Sequence, residues 1–146
     1  MHKLEIIETI QNIFIGADEK NWKQSRSAFA DKVYLDYTSM AGGDPLVLNA
    51  DQIIESWSSF LPKFKATHHQ LGNFMVNVED EKANAFFYGT ATHYFPNTSG
   101  KNIWTVVATY NASLVHENDS WKVISLRMNL KYQDGNLDLP KIVQNP

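Results

Sequence analysis

The sequence predicts a single α+β domain in which N-terminal helices pack on a strongly curved, mainly antiparallel sheet. Helical patterns of apolar residues occupy the first part of the chain, whereas the second part carries long apolar segments separated by short turn-rich stretches. Helices followed by strands, rather than alternating with them, indicate the α+β class. With 146 residues and no linker or repeat, the chain suits one domain over residues 1–146, with residues 135–146 as a tail.

The first helix is predicted over residues 4–17, because apolar side chains recur there at spacings typical of one helix face. These side chains are Leu4, Ile7, Ile10, Ile13, Phe14 and Ala17. A second, short helix is expected to begin at Trp22 and to end near Asp31, and a strand is expected over residues 33–37.

A loop is predicted over residues 39–49, where turn-forming residues cluster. These residues are Gly42, Gly43, Asp44 and Pro45. Asn49 then precedes a third helical pattern, and Gln52 stands where a capping box places Glu or Gln. The third helix is expected to end near Pro62, because proline interrupts helical hydrogen bonding.

Four long strands follow in meander order. They are predicted over residues 67–79, 82–95, 103–116 and 121–132. Consecutive strands joined by short turns favour antiparallel pairing. Several of these segments are apolar on both faces, which indicates a sheet covered on both sides. We expect helices on one side and a pocket or a partner subunit on the other.

The composition excludes several kinds of chemistry. The absence of cysteine removes disulfides, thiol nucleophiles and cysteine-based zinc sites. The adjacent His68 and His69 would point to opposite faces of a strand, so no metal site is predicted. No apolar run approaches the roughly 20 residues of a membrane span, and residues 1–18 lack the pattern of a secretion signal. With a net charge of -3, we expect a soluble, cytoplasmic protein that binds neither membrane nor nucleic acid.

Asp18, which follows the first predicted helix, and the neighbouring His68 and His69 are titratable residues that could take part in chemistry. Asp18 also stands where it could cap a helix terminus. Strict alternation places His68, not His69, on the face shared by Phe74 and the apolar residues after it. A bulge near Gly72 would shift that alternation, and glycine within a strand is a common sign of one. We therefore favour His69 as the residue that faces the pocket, with His68 as the alternative.

Three short segments carry a resemblance to a known family. They are Ala-Asp-Glu-Lys-Asn-Trp at residues 17–22, Leu-Asp-Tyr-Thr-Ser at residues 35–39 and Thr-His-His-Gln-Leu-Gly at residues 67–72. Together with the element order, they resemble the scytalone dehydratase branch of the SnoaL-like families, in the nuclear transport factor 2 superfamily. The chain is similar in the same way to hexachlorocyclohexane dehydrochlorinase. The resemblance implies a cone-shaped α+β barrel that encloses a pocket.

The resemblance also implies a cofactor-independent lyase that eliminates water or another small leaving group. Asp18 would match the family's orienting carboxylate, and His69 its general base. A carboxylate bonded to one imidazole nitrogen fixes the tautomer and leaves the other nitrogen free to accept a proton. Isomerisation begins with the same proton abstraction, so both reactions are expected outcomes of this pair.

Two tyrosines are candidates for binding the substrate. Tyr37 matches a family tyrosine that reaches the substrate carbonyl through water, although it could equally be an ordinary strand tyrosine. Tyr110 stands where the dehydratase carries a second catalytic histidine. It would donate a hydrogen bond or simply line the pocket. Ala17 replaces a further family tyrosine, so the substrate is expected to differ from scytalone.

Two polar residues of the last strand complete the candidate substrate-binding set. Arg127 and Asn129 are expected to share a face with Trp121 and Val123, and the family shows polar pocket residues at their positions. An arginine on an otherwise apolar strand should meet an anion or a carbonyl group. Arg127 would therefore bind a substrate oxygen or a leaving group, or pair with Asp36.

The expected partner is a small aromatic or polyketide-like ligand, and the resemblance implies neither a cofactor nor a metal. A homo-oligomer is expected, with a trimer favoured over a dimer because the resembled dehydratases form trimers. The alternative function is a non-catalytic ligand-binding or protein-association module, since this fold serves many unrelated functions.

Overall fold

A computed structural model describes residues 2–146 of the chain. The helices are α1 (Lys3–Asp18), α2 (Trp22–Ser27), α3 (Thr38–Ala41), α4 (Ala50–Phe60), which continues into a 3-10 turn (Leu61–Lys63), and α5 (Leu139–Ile142). The strands are β1 (Phe29–Asp36), β2 (Leu46–Asn49), β3 (Ala66–Glu79), β4 (Lys82–Tyr94), β5 (Ile103–Glu117) and β6 (Ser120–Gly135).

The six strands form one mixed sheet in the order β2-β1-β6-β5-β4-β3. The four long strands pair in antiparallel meander order, as predicted. Strand β1 lies parallel to β6 and antiparallel to β2. The first strand of the chain therefore pairs with the last one, on the side of β6 opposite β5. Among the described residues, none of the helices has the length and apolarity that a membrane span requires.

Helix α1 buries one apolar stripe in the core. Ile6, Ile10, Ile13 and Phe14 are at most 4% exposed. Leu4, which was expected in this stripe, is 65% exposed. The buried stripe begins instead at Ile6, which lies one helical turn before Ile10 and therefore on the same face.

Helix α2 packs unusually close to α1 because Gly16 lacks a side chain. A Cβ atom at Gly16 would lie 2.7 Å from the backbone nitrogen of Ser25. Ser25 is fully buried, and its hydroxyl donates to the carbonyl oxygen of Ile13 at 2.8 Å. The contact fixes the turn that follows the last residue of α1.

Three segments differ from the sequence-based expectations. The second helix ends at Ser27 rather than near Asp31, and β1 begins at Phe29, whose ring is buried against Trp57. The predicted loop 39–49 contains α3 and β2. The expected tail 135–146 contains α5, and its Leu139 is fully buried. Phe29 and Leu139 are buried in the core, whereas α3 contains no buried residue and β2 forms through its pairing with β1. The local pattern of the sequence reveals neither kind of tertiary contact.

The bulge expected near Gly72 is present in β3. The β3–β4 register shifts between Gly72 and Met75, and Asn73 adopts a positive φ of 53°. His69 and Phe74 therefore both face the helices, although their positions differ by five, an odd number that places residues of a regular strand on opposite faces.

A second bulge, in β6, has no counterpart in the sequence analysis. Val123 faces the core, and so do Leu126 and Met128. Ile124 is an extra residue in this strand, because the β5–β6 register shifts beside it. Arg127 consequently points to the opposite side of the sheet from the core.

Candidate active site

Asp18, the last residue of α1, forms a hydrogen-bonded pair with His69 of β3. Its Oδ1 lies 2.7 Å from His69 Nδ1, and its Oδ2 accepts the backbone N–H of His69 at 2.6 Å. The Thr67 hydroxyl donates to Oδ1 at 2.9 Å. The side chains of Asp18 and His69 are only 11% and 12% exposed. Three donors therefore hold one carboxylate in a largely buried setting.

The environment keeps Asp18 ionised and sets the tautomer of His69. Burial opposes the charged form, but the hydrogen bonds and charge of His69, with the Thr67 hydroxyl, hold the pKa of Asp18 below its ordinary value. An ionised carboxylate only accepts hydrogen bonds, so His69 Nδ1 carries the proton. In this tautomer the lone pair of the ring is on Nε2.

His69 borders a cavity of about 170 Å³ between the sheet and the helices. Six of the fourteen lining residues are Phe, Tyr or Trp, namely Phe14, Tyr37, Trp57, Phe60, Trp104 and Tyr110. The lining contains no lysine or arginine. In the described part of the chain, no group of three or more His, Cys, Asp or Glu side chains is placed to hold a metal ion.

The structure places Tyr37 and Tyr110 together in the cavity wall, with ring centroids 6.5 Å apart. Burial, with the neighbouring Tyr110, raises the pKa of Tyr37 well above its ordinary value. Burial likewise raises the pKa of Tyr110 to about 12. The Tyr110 ring is stacked on Phe87 at a centroid distance of 5.1 Å. Both phenols are therefore protonated at neutral pH and able to donate a hydrogen bond.

His93 is a polar residue of the cavity that the sequence analysis did not select. It is 4% exposed, lines the cavity, and has its ring centroid 6.2 Å from that of His69. Its Nδ1 donates to the carbonyl oxygen of Trp104 at 3.0 Å. Burial lowers the pKa of His93 to about 4, so the ring is neutral at pH 7. Its alternation with the buried Ala91 was the signal that could have found it.

Tyr110 occupies the position that matches the dehydratase's second histidine, but a second imidazole, that of His93, lines the cavity from another strand. The resemblance predicted only one histidine in the pocket, because Tyr110 of β5 occupies the position of the dehydratase's second histidine. His93 lies on β4, and its register partner on β5 is Trp104. The cavity wall therefore contains two imidazoles, and the Asp18 carboxylate is hydrogen-bonded to one of them.

Arg127 and Asn129 lie on the face of the sheet opposite the Asp18–His69 pair. This corrects the expected common face with Val123, because the extra residue in β6 reverses the alternation. Arg127 Nη2 donates to Asn111 Oδ1 at 3.1 Å, and Asn129 Nδ2 donates to the same oxygen at 2.8 Å. Neither side chain borders the aromatic cavity.

The architecture is that of the nuclear transport factor 2-like cone fold, in which N-terminal helices close a curved sheet over an internal cavity. The amino-acid sequence assigns the chain to one family within this fold class. Residues 2–127 match the family model of the SnoaL-like domain, and the chain belongs to that family. No curated protein matches the sequence significantly.

Solved structures agree with this assignment. The protein Kfla4162 from Kribbella flavida is 25% identical, with a TM-score of 0.90 over 95% of this chain and 96% of that one. A protein provisionally described as a scytalone dehydratase, from Novosphingobium aromaticivorans, is 16% identical, with a TM-score of 0.74 over 89% and 84%. A type 2 hexachlorocyclohexane dehydrochlorinase, LinA, is 15% identical, with a TM-score of 0.77 over 92% and 88%. The latter two likenesses show a shared fold.

Proposed function

We propose that the protein is a cofactor-independent enzyme in which His69, oriented by Asp18, removes a proton next to a carbonyl group of a small substrate. One observation carries the proposal. The His69 Nδ1–Asp18 Oδ1 hydrogen bond of 2.7 Å is largely buried and borders an aromatic cavity. This geometry supports a role for His69 as an oriented general base. Elimination of water is the preferred reaction, and isomerisation shares its first step.

The proposed elimination moves one proton and one electron pair at a time. His69 Nε2 bonds to the substrate hydrogen, and the C–H electron pair moves onto the carbonyl group as an enolate. The enolate forms the carbon–carbon double bond and expels hydroxide from the adjacent carbon. The proton on His69 then joins that hydroxide, so water leaves and the imidazole is neutral again. Asp18 remains ionised and stabilises the transient imidazolium.

The tyrosines supply donors for the charge that develops on the carbonyl oxygen. Tyr37 and Tyr110 remain protonated because burial raises both pKa values. Neutral donors in a site with little water stabilise an enolate oxygen more strongly than water does. In isomerisation, the same donors would hold the enolate while His69 returns the proton to a different carbon.

His93 is proposed to bind and orient a hydroxyl group of the substrate. Its Nδ1–H is occupied by the Trp104 carbonyl oxygen, so its other ring nitrogen is an acceptor. Because the pKa of His93 is about 4, that nitrogen remains an acceptor throughout the neutral pH range. A hydroxyl group held there would lie in the same cavity as the base.

The substrate is proposed to be an uncharged aromatic or polyketide-like hydroxyketone. Flat aromatic walls favour a flat apolar ligand. An anionic substrate would be buried beside the ionised Asp18 with no lysine or arginine in the cavity wall, which is energetically costly.

Assembly and location are further parts of the proposal. Tyr88, Ile103 and Tyr132 of the sheet are 51%, 49% and 58% exposed, which supports a homo-oligomer that covers them. A trimer is favoured over a dimer. A cytoplasmic location is proposed as well.

A paired substitution tests the enzyme proposal. Aromatic and polyketide-like hydroxyketones are screened by NMR in D₂O for loss of water and for exchange of the hydrogen next to the carbonyl. We expect His69→Ala to lower both rates by about 10² to 10⁴-fold. His68→Ala alters an exposed neighbour on the opposite face of β3 and should leave both rates within about twofold. Equal rates in wild type and His69→Ala would contradict the assignment of the base. Binding without exchange or turnover would favour the ligand-binding alternative.

A further inference from the structure

A polar trough crosses the sheet on the face away from the helices and encloses a cavity of about 390 Å³. It consists of two neighbouring rows of paired residues. The first row contains Asp36, Arg127, Asn111, Phe86 and Met75. The second row contains Tyr34, Ser125, Ser113, Asn84 and Asn77. We call this cavity the outer trough.

Hydrogen bonds within the outer trough occupy the amide oxygens of two asparagines and leave their side-chain N–H groups free to donate. A guanidinium group has no acceptor, so Asn111 must present its Oδ1 to Arg127, and Asn129 donates to the same oxygen. Ser113 likewise donates to Asn84 Oδ1 at 3.1 Å. Among the described residues, no hydrogen bond uses the side-chain N–H groups of Asn111 or Asn84. The trough therefore offers two amide donors beside one guanidinium group.

The charge of Arg127 is not neutralised by direct contact. Within residues 2–146, no carboxylate lies within 4.0 Å of its guanidinium group. Asp36 is its neighbour in the first row, but Asp36 Oδ1 accepts hydrogen bonds from the backbone N–H and the hydroxyl of Thr38, at 3.0 and 2.6 Å. These bonds, with a smaller contribution from Arg127, lower the pKa of Asp36. The ionised Asp36 limits the negative charge that the trough can accept.

We propose that the outer trough is a second ligand site, which binds a small monocarboxylate. The planar guanidinium fork of Arg127 matches the two oxygens of a carboxylate. The amide groups of Asn111 and Asn84 add donors to those oxygens. Phe86 and Met75, which are 36% and 72% exposed, provide an apolar wall for the body of the ligand. A dianion such as phosphate binds less well, because Asp36 repels its second charge.

This site lies across the sheet from the aromatic cavity and is independent of the proposed reaction. The aromatic cavity has no basic residue and suits an uncharged molecule, whereas the outer trough contains an arginine and suits an anion. A cavity of about 390 Å³ is within the range of small-molecule sites. One chain would then bind two chemically different ligands on the two faces of one sheet.

The test is an NMR titration of ¹⁵N-labelled protein with benzoate, with inorganic phosphate as the comparison anion. We expect benzoate to shift the side-chain amide signals of Asn111 and Asn84 saturably, and phosphate to shift them at least tenfold more weakly. Arg127→Gln should raise the Kd for benzoate at least tenfold. Lys131→Gln removes an exposed positive charge from the same strand and should change the Kd by less than twofold.

Three outcomes would overturn the proposal. The first is that benzoate leaves the two amide signals unchanged, or shifts them equally in wild type and Arg127→Gln. The second is that phosphate binds as well as benzoate, which would show general anion attraction. Sedimentation of the same samples gives the third: if Arg127→Gln dissociates an assembly and benzoate has no effect on the amides, a second copy of the chain occupies the trough. Binding of benzoate in the aromatic cavity would be recognised separately. It would shift the NMR signals of His69, and these shifts would also occur in Arg127→Gln.

Discussion

The carboxylate of Asp18 bonds to His69 twice, to its ring at 2.7 Å and to its backbone N–H at 2.6 Å. One side chain thus fixes both the start of β3 and the orientation of the imidazole. A negative charge at the last residue of α1 is unfavourable with respect to the helix dipole. The donors from His69 and Thr67 offset that cost and join the helix end to the sheet.

Asp18→Asn should abolish most activity without unfolding the protein. An amide at this position would no longer select the Nδ1–H tautomer or stabilise the imidazolium, so we expect a loss in kcat of about 10² to 10⁴-fold. Thr67→Val removes one donor to the carboxylate and leaves the tautomer intact. That control should lose less than about tenfold in kcat. An Asp18→Asn enzyme with more than a tenth of wild-type kcat would contradict this role.

Stability should fall as the pH is lowered from about 6.5 to about 4, because His93 is buried as a neutral ring. Its pKa is 6.5 as a free group and about 4 in the folded protein, so between these values the unfolded chain binds more protons. Unfolding therefore becomes easier at lower pH, by about 3 kcal/mol over the whole window. The measurement is urea unfolding at pH 7 and pH 4.5.

His93→Phe isolates this contribution. Between pH 7 and pH 4.5, the free energy of unfolding of this variant should fall by about 2 kcal/mol less than that of the wild type. The Phe ring preserves the stacking on Trp104, which has a centroid distance of 4.2 Å. His68→Phe, at an exposed position, should retain the wild-type pH dependence. Identical pH profiles for wild type and His93→Phe would show that His93 titrates normally.

Asn73 should tolerate glycine but not a branched residue, because its φ is 53°. A β-branched side chain in this conformation is strained, whereas glycine adopts it freely. We expect Asn73→Val to lower the free energy of unfolding by about 1 to 2 kcal/mol, and Asn73→Gly to change it by less than about 0.5 kcal/mol. Asn77→Val, also exposed on β3, is the control for valine in this strand. Equal stabilities of the valine variants would contradict the strained bulge.

Tyr110→Phe should lower activity while leaving the fold intact. The stacking on Phe87 depends on the ring, which phenylalanine retains. Loss of the hydroxyl removes one donor to the enolate oxygen, so we expect kcat to fall by about 10²-fold with little change in thermal stability. Tyr88→Phe, on the outer face, is the matched control. Unchanged kcat in Tyr110→Phe would assign Tyr110 to the cavity lining alone.

Local patterns in the sequence predicted much of the fold. The spacing of apolar residues in α1 and the position of Gln52 in α4 depend on neighbouring residues only, and both have structural counterparts. Gln52 Oε1 accepts the backbone N–H of Asn49 at 2.9 Å. Gly72 marked the bulge that turns His69 toward the helices, because glycine signals such a site in the sequence itself.

Residue patterns predicted the α+β class and the order of the longer helices and strands, and the family resemblance predicted the pairing of Asp18 with His69. The parallel pairing of β1 with β6 and the face of Arg127 follow only from the tertiary structure. The reason is that a residue's face depends on every bulge between it and the core-facing residues of its strand. The bulge at Ile124 arises from pairing with β5 and carries no glycine or proline. Only the assembled sheet separates Arg127 from the aromatic cavity and places it in the outer trough.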